Sequence, residues 1–424
     1  MFAAIGVLSF GGPAAQIALM HRVLVEEQAV LSEAEFLRAL SFCMMLPGPE
    51  AMQLATYAGW RIKGAAGGLI GGLLFVLPGA SVVAALAFVY IHFGTQDIIQ
   101  QGFSGIKAAV VTLVFVALYK LSRKALTGTV SHALAAAAFV ALFVFDLPFP
   151  AVILLAGLTK ALLHQNTTTT TLHHANAAPT QEVARQTAAK SRTTSSQSIQ
   201  TLLIWATLWL LPLLTLSAYG PALLADIGWF FAKLAVISFG GAYAVLAYMS
   251  QTVVSDFGWI TTGQMIDALG LAETTPGPLI LVTQFVAMLA GAAEGSAAMA
   301  VAAGIIALWA TFLPCFLWIF LAAPHIESLA ALPRLSAALQ GVSAAVVGVI
   351  LNLSVWFLQH VIFAETQMVD TGIGSMTLPL WSSLDPTAAG LVLLAPAVMA
   401  ICRSQLIIVL AVMAGAGVVA HALV

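Results

Sequence analysis

Two Pro-Gly-Pro triplets, Pro47-Gly48-Pro49 and Pro276-Gly277-Pro278, stand inside long apolar segments. A helix loses backbone hydrogen bonds at each proline and breaks. Within a bilayer such a break survives only where protein or water satisfies the freed groups. A half-helix starting at Pro49 would aim N–H groups near Glu50, Ala51 and Met52 into the protein, and one starting at Pro278 would do so near Leu279, Ile280 and Leu281. Free N–H groups at a helix N-terminus attract anions, tetrahedral oxyanions among them. A structural kink explains one triplet readily and two in register less well. Gly11, Gly12 and Pro13, and likewise Gly240 and Gly241, permit a bend or a close backbone approach, with Gln16 one turn beyond the first pair. Close helix packing alone would also explain these glycines. Glu50, Gln53 and Tyr57 fall at helical spacing and are expected to share a cavity-lining face, while Glu273 precedes the second triplet by three residues. A carboxylate at membrane depth is a candidate proton-coupling or gating group, although a helix cap would equally account for Glu50. Lys107 and Lys233 lie near helix ends and are expected to snorkel to the headgroups, with anion attraction as the other reading. His21, Arg22, Glu26 and Glu27 close the first helix and read as a solvated mouth or a site.

The elements that position these groups must be membrane spans. Of 424 residues, 61% are hydrophobic and 8% charged, and the mean hydropathy is +1.01; soluble chains carry roughly 25% charged residues. A soluble enzyme and a nucleic-acid binder are excluded. No basic stretch or small-residue cleavage site follows Met1, so the first apolar segment is expected to be retained as a span. Cys43, Cys315 and Cys402 lie in apolar segments without metal or disulfide spacing, and no cofactor or metal is expected. Thirteen candidate helices follow: 2–20, 33–60, 65–91, 104–121, 132–145, 150–163, 202–217, 229–250, 264–289, 296–322, 338–361, 387–401 and 405–423. The pair 132–145 and 150–163 is short enough for an intramembrane hairpin turning at Asp146-Leu147-Pro148. If all cross, one side receives Arg61, Lys63, Arg123, Lys124, Arg185, Lys190, Arg192, Arg334 and Arg403, and the other only Arg22 among loop cations. The positive-inside rule then places the N-terminus in the cytoplasm and the C-terminus outside, with Glu365, Asp370 and Asp385 in an outer loop. Re-entrant triplet segments are the alternative. Residues 164–200, rich in Thr, Ser, Gln and Ala, read as a disordered cytoplasmic linker; a metal cluster of His164, His173 and His174 is the weaker reading.

The chain repeats itself. Ser9-Phe10-Gly11-Gly12 recurs as Ser238-Phe239-Gly240-Gly241 at an offset of 229, and so does the Pro-Gly-Pro triplet. The register holds over 41 positions without a gap, 13 of them identical. At an offset of 236, Pro78 matches Pro314, and the run from Gly105 to Val111 matches that from Gly341 to Val347. Six candidate spans per copy plus the unpaired 202–217 make the second copy inverted. The domains expected are a first repeat at 1–163, the linker at 164–200, a connecting helix and loop at 201–228, and an inverted second repeat at 229–424. Such a pair is the usual architecture of a secondary transporter with its site near the midplane.

These residues also carry a family resemblance. The run Phe10-Gly11-Gly12-Pro13-Ala14-Ala15-Gln16-Ile17-Ala18 with His21-Arg22 and Glu26-Glu27, then Leu46-Pro47-Gly48-Pro49-Glu50-Ala51 with Gln53, Tyr57 and Gly59-Trp60, resembles the chromate ion transporter (CHR) superfamily, long-chain type with two fused halves. Lys233-Leu234, Ser238 to Gly241 and Thr275 to Pro278 extend it to the second copy, although Ala4 stands where that copy has Lys233. The resemblance implies proton-driven chromate efflux across the bacterial inner membrane. Chromate and sulfate are tetrahedral dianions of similar size, so a sulfate transporter is the alternative. An intramembrane enzyme would need a nucleophile or metal cluster, and His92, His360 and His421 are isolated. The expected partners are the oxyanion, protons and the lipid bilayer, and a homo-oligomer is compatible with them.

Overall fold

The computed structural model describes residues 1–10, 12–163, 195–239, 242–325, 333–370, 375–402 and 405–423. The described residues of the first half form α1 (Phe2–Leu8), α2 (Gly12–His21), α3 (Glu33–Cys43), α4 (Glu50–Phe93), α5 (Asp97–Ala125), α6 (Thr129–Phe143) and α7 (Phe149–Leu163). Those of the second form α8 (Ser195–Tyr219), α9 (Ala222–Ile237), α10 (Ala242–Gln251), α11 (Thr262–Thr274), α12 (Val282–Ala293), α13 (Ala297–Ala322), α14 (Pro333–Ile362), α15 (Pro386–Ile401) and α16 (Leu406–Ala422). The fold is all-α, with one antiparallel pair, β1 (Thr366–Asp370) and β2 (Ser375–Pro379), inside the expected outer loop. Helix α8 begins ahead of the linker boundary expected at Gln200; the rest of that linker, 164–194, lies outside the described residues.

Apolar side chains cover both inside and outside. On α7, Val152, Ile153, Ala156 and Gly157 are buried, while Leu154, Leu155, Leu158 and Leu162 are exposed. A water-soluble surface does not carry such a stripe. Among the described residues, five helices are long and apolar enough to cross a membrane by length and composition.

Helix α4 is two helices joined at Lys63 and Gly64, where the backbone leaves helical geometry. Its longer part, 65–93, rises about 43 Å at ~1.5 Å per residue, enough to span a hydrocarbon core of ~30 Å. Near its start Arg61 pairs with Glu35 at 2.8 Å. Glu35 opens α3 and Arg61 belongs to the last turn before the break, so segment 33–60 reverses at Pro47-Gly48-Pro49. The second triplet does the same. Gly263 and Gln264, at the start of α11, line one cavity with Ala292 and Ala293 at the end of α12. Tyr90 and Ile91 line it too, so this hairpin opens at the far end of 65–93.

The expected crossings at 33–60 and 264–289 are therefore corrected to hairpins that open at opposite ends of one long helix. The turn is possible because glycine between two prolines adopts positive φ, 116° at Gly48 and 88° at Gly277. Each hairpin begins with a capping box, Ser32 with Glu35 and Thr261 with Gln264.

The leading segments, 2–20 and 229–250, also break instead of crossing. Phe2 lies beside Gly71 and Gly6 against Leu74 and Phe75, so α1 runs inward along α4. Helix α2 then returns to His21, whose ring meets Glu33 at 2.6 Å. In the second half, Phe230 of α9 contacts Phe257 and Trp259 beyond α10, with centroids 5.4 and 5.7 Å apart. Helices α6 and α7 form the expected hairpin, turning at Asp146 with φ 48°, and pack on α14 through Gly348 against Ala135 and Gly341 against Ala156.

Candidate functional site at the hairpin tips

Each hairpin tip is held by the other half of the chain. Gly277 N–H donates to the Ser9 carbonyl at 2.9 Å, and Gly48 N–H donates to the Ser238 carbonyl at 3.0 Å. Gly277 abuts Gly79, and Gly48 abuts Cys315. Gly79 and Cys315 follow Pro78 and Pro314, the prolines that match between the copies. Because Gly79 lies midway along 65–93, the second tip sits near mid-depth.

Two glutamine amides hold the tip carbonyls. Gln16, 1% exposed, donates to the Gly277 carbonyl at 2.6 Å, and Gln53, 0% exposed, donates to the Pro47 carbonyl at 2.7 Å. Their counterparts in the other copy are Val245 and Val282, so the two tips use non-equivalent glutamines for one purpose. The first turns close on themselves, Gln53 N–H to Pro49 and Leu281 N–H to Pro278. Leu279 to Leu281 form a 3₁₀ turn instead of the start of an α-helix. At the first tip Glu50 is half-buried, and no side chain among the described residues bonds its carboxyl.

Two serines escaped the sequence reading as site residues. The Ser238 hydroxyl donates to Ala235 at 2.8 Å, whereas the buried Ser9 hydroxyl has no partner among the described residues. The signal was present in the repeated Ser-Phe-Gly-Gly motif. Glu273 accepts from Tyr243 at 2.7 Å, close to the break between α9 and α10.

Other expected residues lie elsewhere. Tyr57 is buried against Trp60, 5.9 Å between centroids, nearer the open end of its hairpin than the tip. It and Gln53 are packed, so Glu50, Gln53 and Tyr57 do not share an open face. Lys107 does not snorkel; it pairs with Asp267 at 3.4 Å. Lys233 is exposed and lies over the Tyr248 ring at 5.7 Å. Gly12 has φ 76° and open space around it. Pro47, Pro49, Pro276 and Pro278 flank the tip glycines; Gly11, Gly240 and Gly241 lie outside the described residues.

The open end of the first hairpin is charged. The Ser32 backbone N–H, helped by its hydroxyl and by Arg61, holds the Glu35 carboxyl below the usual range. The hydrogen bond that the His21 imidazole donates to Glu33 raises it above its ordinary value, with Glu26 adding to it. Among the described residues no three His, Cys, Asp or Glu gather to hold a metal.

Fold and site together define a class: a polytopic α-helical membrane protein with hairpins turned at two Pro-Gly-Pro triplets. The chain belongs to the chromate transporter family, whose model, described as "Chromate transporter", matches residues 1–161 and 225–419. It is 31% identical to a "Probable chromate transport protein" of Synechococcus elongatus, covering 82% of this chain and 81% of that one. It is 32% identical to a "Chromate transport protein" of Pseudomonas aeruginosa, covering 82% and 77%, and 29% identical to one of Cupriavidus metallidurans, covering 82% and 79%. No solved structure matches the chain.

Proposed function

We propose that this chain exports chromate across the bacterial inner membrane, driven by the proton motive force. The observation that carries the reading is the reciprocal pair of tip bonds, Gly277 to Ser9 and Gly48 to Ser238. Hairpins that open at opposite ends of 65–93 and exchange bonds near its middle support an inverted repeat, 1–163 against 229–424, with the anion passing between the tips. The Ser9 hydroxyl, unpartnered among the described residues, belongs to the residue whose carbonyl holds the second tip, and Glu50 and Glu273 are the carboxylates proposed to carry protons. Relatives named as chromate transport proteins favour chromate over sulfate as the anion.

Arg61 and Lys63, at the open end of the first hairpin, place that end in the cytoplasm by the positive-inside rule. Four reversed segments taken from thirteen leave an odd number of crossings. The N-terminus is then cytoplasmic and the C-terminus periplasmic. Expression in a chromate-sensitive host lowers cellular chromate, and collapsing the proton gradient removes the effect. Unchanged accumulation, with the protein present in the membrane, would overturn chromate export and leave sulfate or another oxyanion.

A further inference from the structure

The open end of the second hairpin carries a built polar site that the tip mechanism does not use. A cavity of about 330 Å³ is lined by Tyr90, Gln100, Lys107, Thr261, Gln264 and Asp267, among others. Asp267 is 1% exposed. Its Oδ2 accepts from the Tyr90 hydroxyl at 2.7 Å; among the described residues its Oδ1 has only the Lys107 ammonium, 3.4 Å away, and no hydrogen bond. Lys107 itself remains partly open to the cavity. Tyr90 and Lys107 belong to the first half and Asp267 to the second, so the cluster joins the halves about 12 Å along α11 from Thr275, at ~1.5 Å per residue.

We propose that this cavity is an anion vestibule, in which Lys107 binds a tetrahedral oxyanion once a proton on Asp267 has released it. The proposal rests on the oxyanion-transport reading. A buried carboxylate without its cation is costly, so Lys107 serves either Asp267 or the anion. A proton from water in the cavity adds to Oδ1, the oxygen lacking a hydrogen bond. Asp267 becomes neutral, and the ammonium turns to the cavity, which Thr95 and Thr261 also line. Other elements packed on α11 do not contribute: α12 has no titratable residue, and Arg334 and His360 of α14, His421 of α16, and the rim residues His92 and Asp97 make no ion pair or hydrogen bond with Asp267.

The test is equilibrium binding of radiolabelled sulfate, which stays doubly charged, to the purified full chain between about pH 8 and pH 5. The wild type should bind tighter as pH falls. Asp267→Asn should bind as tightly as the acid form at every pH, and Lys107→Gln should lose roughly tenfold or more. Gly263→Leu, whose side chain would reach toward the Lys107 ammonium, should block binding without removing a charge, and keeps the test sound if a charge variant misfolds. An unchanged pH slope in Asp267→Asn, wild-type binding by Lys107→Gln, or no sulfate binding by the wild type would overturn the vestibule. None of these would touch chromate export, which fails only if flux fails.

Discussion

Gly277 is gripped on both of its peptide groups by the other half of the chain: its N–H donates to the Ser9 carbonyl at 2.9 Å, and its carbonyl accepts from the Gln16 amide at 2.6 Å. Removing Gln16 strands a buried carbonyl, which costs ~1–3 kcal/mol. Gln16→Ala should lower the melting temperature in detergent. Gly48→Ala should lower it further, because a Cβ there would sit 2.8 Å from the Cys315 sulfur at a φ of 116°, a strained conformation worth about 1–3 kcal/mol. Gly277→Ala should be milder, since its nearest obstacle is the flexible end of Leu281 at 3.1 Å. Equal melting temperatures for Gly48→Ala and wild type would contradict the packing at the first tip.

The hairpin geometry places Glu35 and Arg61 on one face. Single cysteines at these positions should label from the same side of sealed vesicles with an impermeant maleimide, in a background lacking Cys43, Cys315 and Cys402. Labelling from opposite sides would restore a crossing at 33–60. Loss of the ion pair alone should cost ~1 kcal/mol or less, because both partners are partly exposed.

His21 gives the first hairpin a pH dependence. Its folded-state pKa is raised, chiefly by the bond to Glu33, so its contribution is full below the unfolded value of ~6.5 and is lost as pH rises through the raised one. After division by the intrinsic exchange rate, which itself rises with pH, protection across 22–32 should fall over that window in the wild type. His21→Gln should show protection that does not change with pH there, and wild-type protection constant across the window would count against the pair.

Tyr243 and Glu273 form the carboxylate site nearest the second break. Tyr243→Phe should slow chromate flux roughly tenfold, the size of one hydrogen bond to a charged group at ~1.5 kcal/mol. Glu273→Gln should remove the response to a proton gradient while the protein stays abundant. A Glu273→Gln protein with normal gradient response would reassign coupling to Glu50.

The positions of the helix breaks are legible in the sequence because proline and glycine act locally, at Pro47, Pro276 and Gly12. The direction taken after each break is not, because it is decided by distant partners such as Arg61 for Glu35 and Ser9 for Gly277. A span of the right apolar length can be one crossing or two short helices, and hydropathy treats them alike. The capping boxes at Ser32 and Thr261 are sequence signals that would have marked α3 and α11 as helices with their own starts. Asp267 is harder to see, since its register partner in the first copy is Arg38; the clue is a lone acid within an apolar run. The strand pair, 366–370 with 375–379, lies in the segment carrying Glu365, Asp370 and Asp385, which hydropathy marks only as loop.

The central claim, proton-driven export of chromate by a chain whose hairpin tips are each held by the other half, is tested most directly by flux into inverted membrane vesicles. Radiolabelled chromate should accumulate in vesicles energised with an acid interior, and sulfate should compete weakly. Adding a protonophore should abolish accumulation. Equal chromate uptake with and without the gradient, or with and without the protein, would contradict the account.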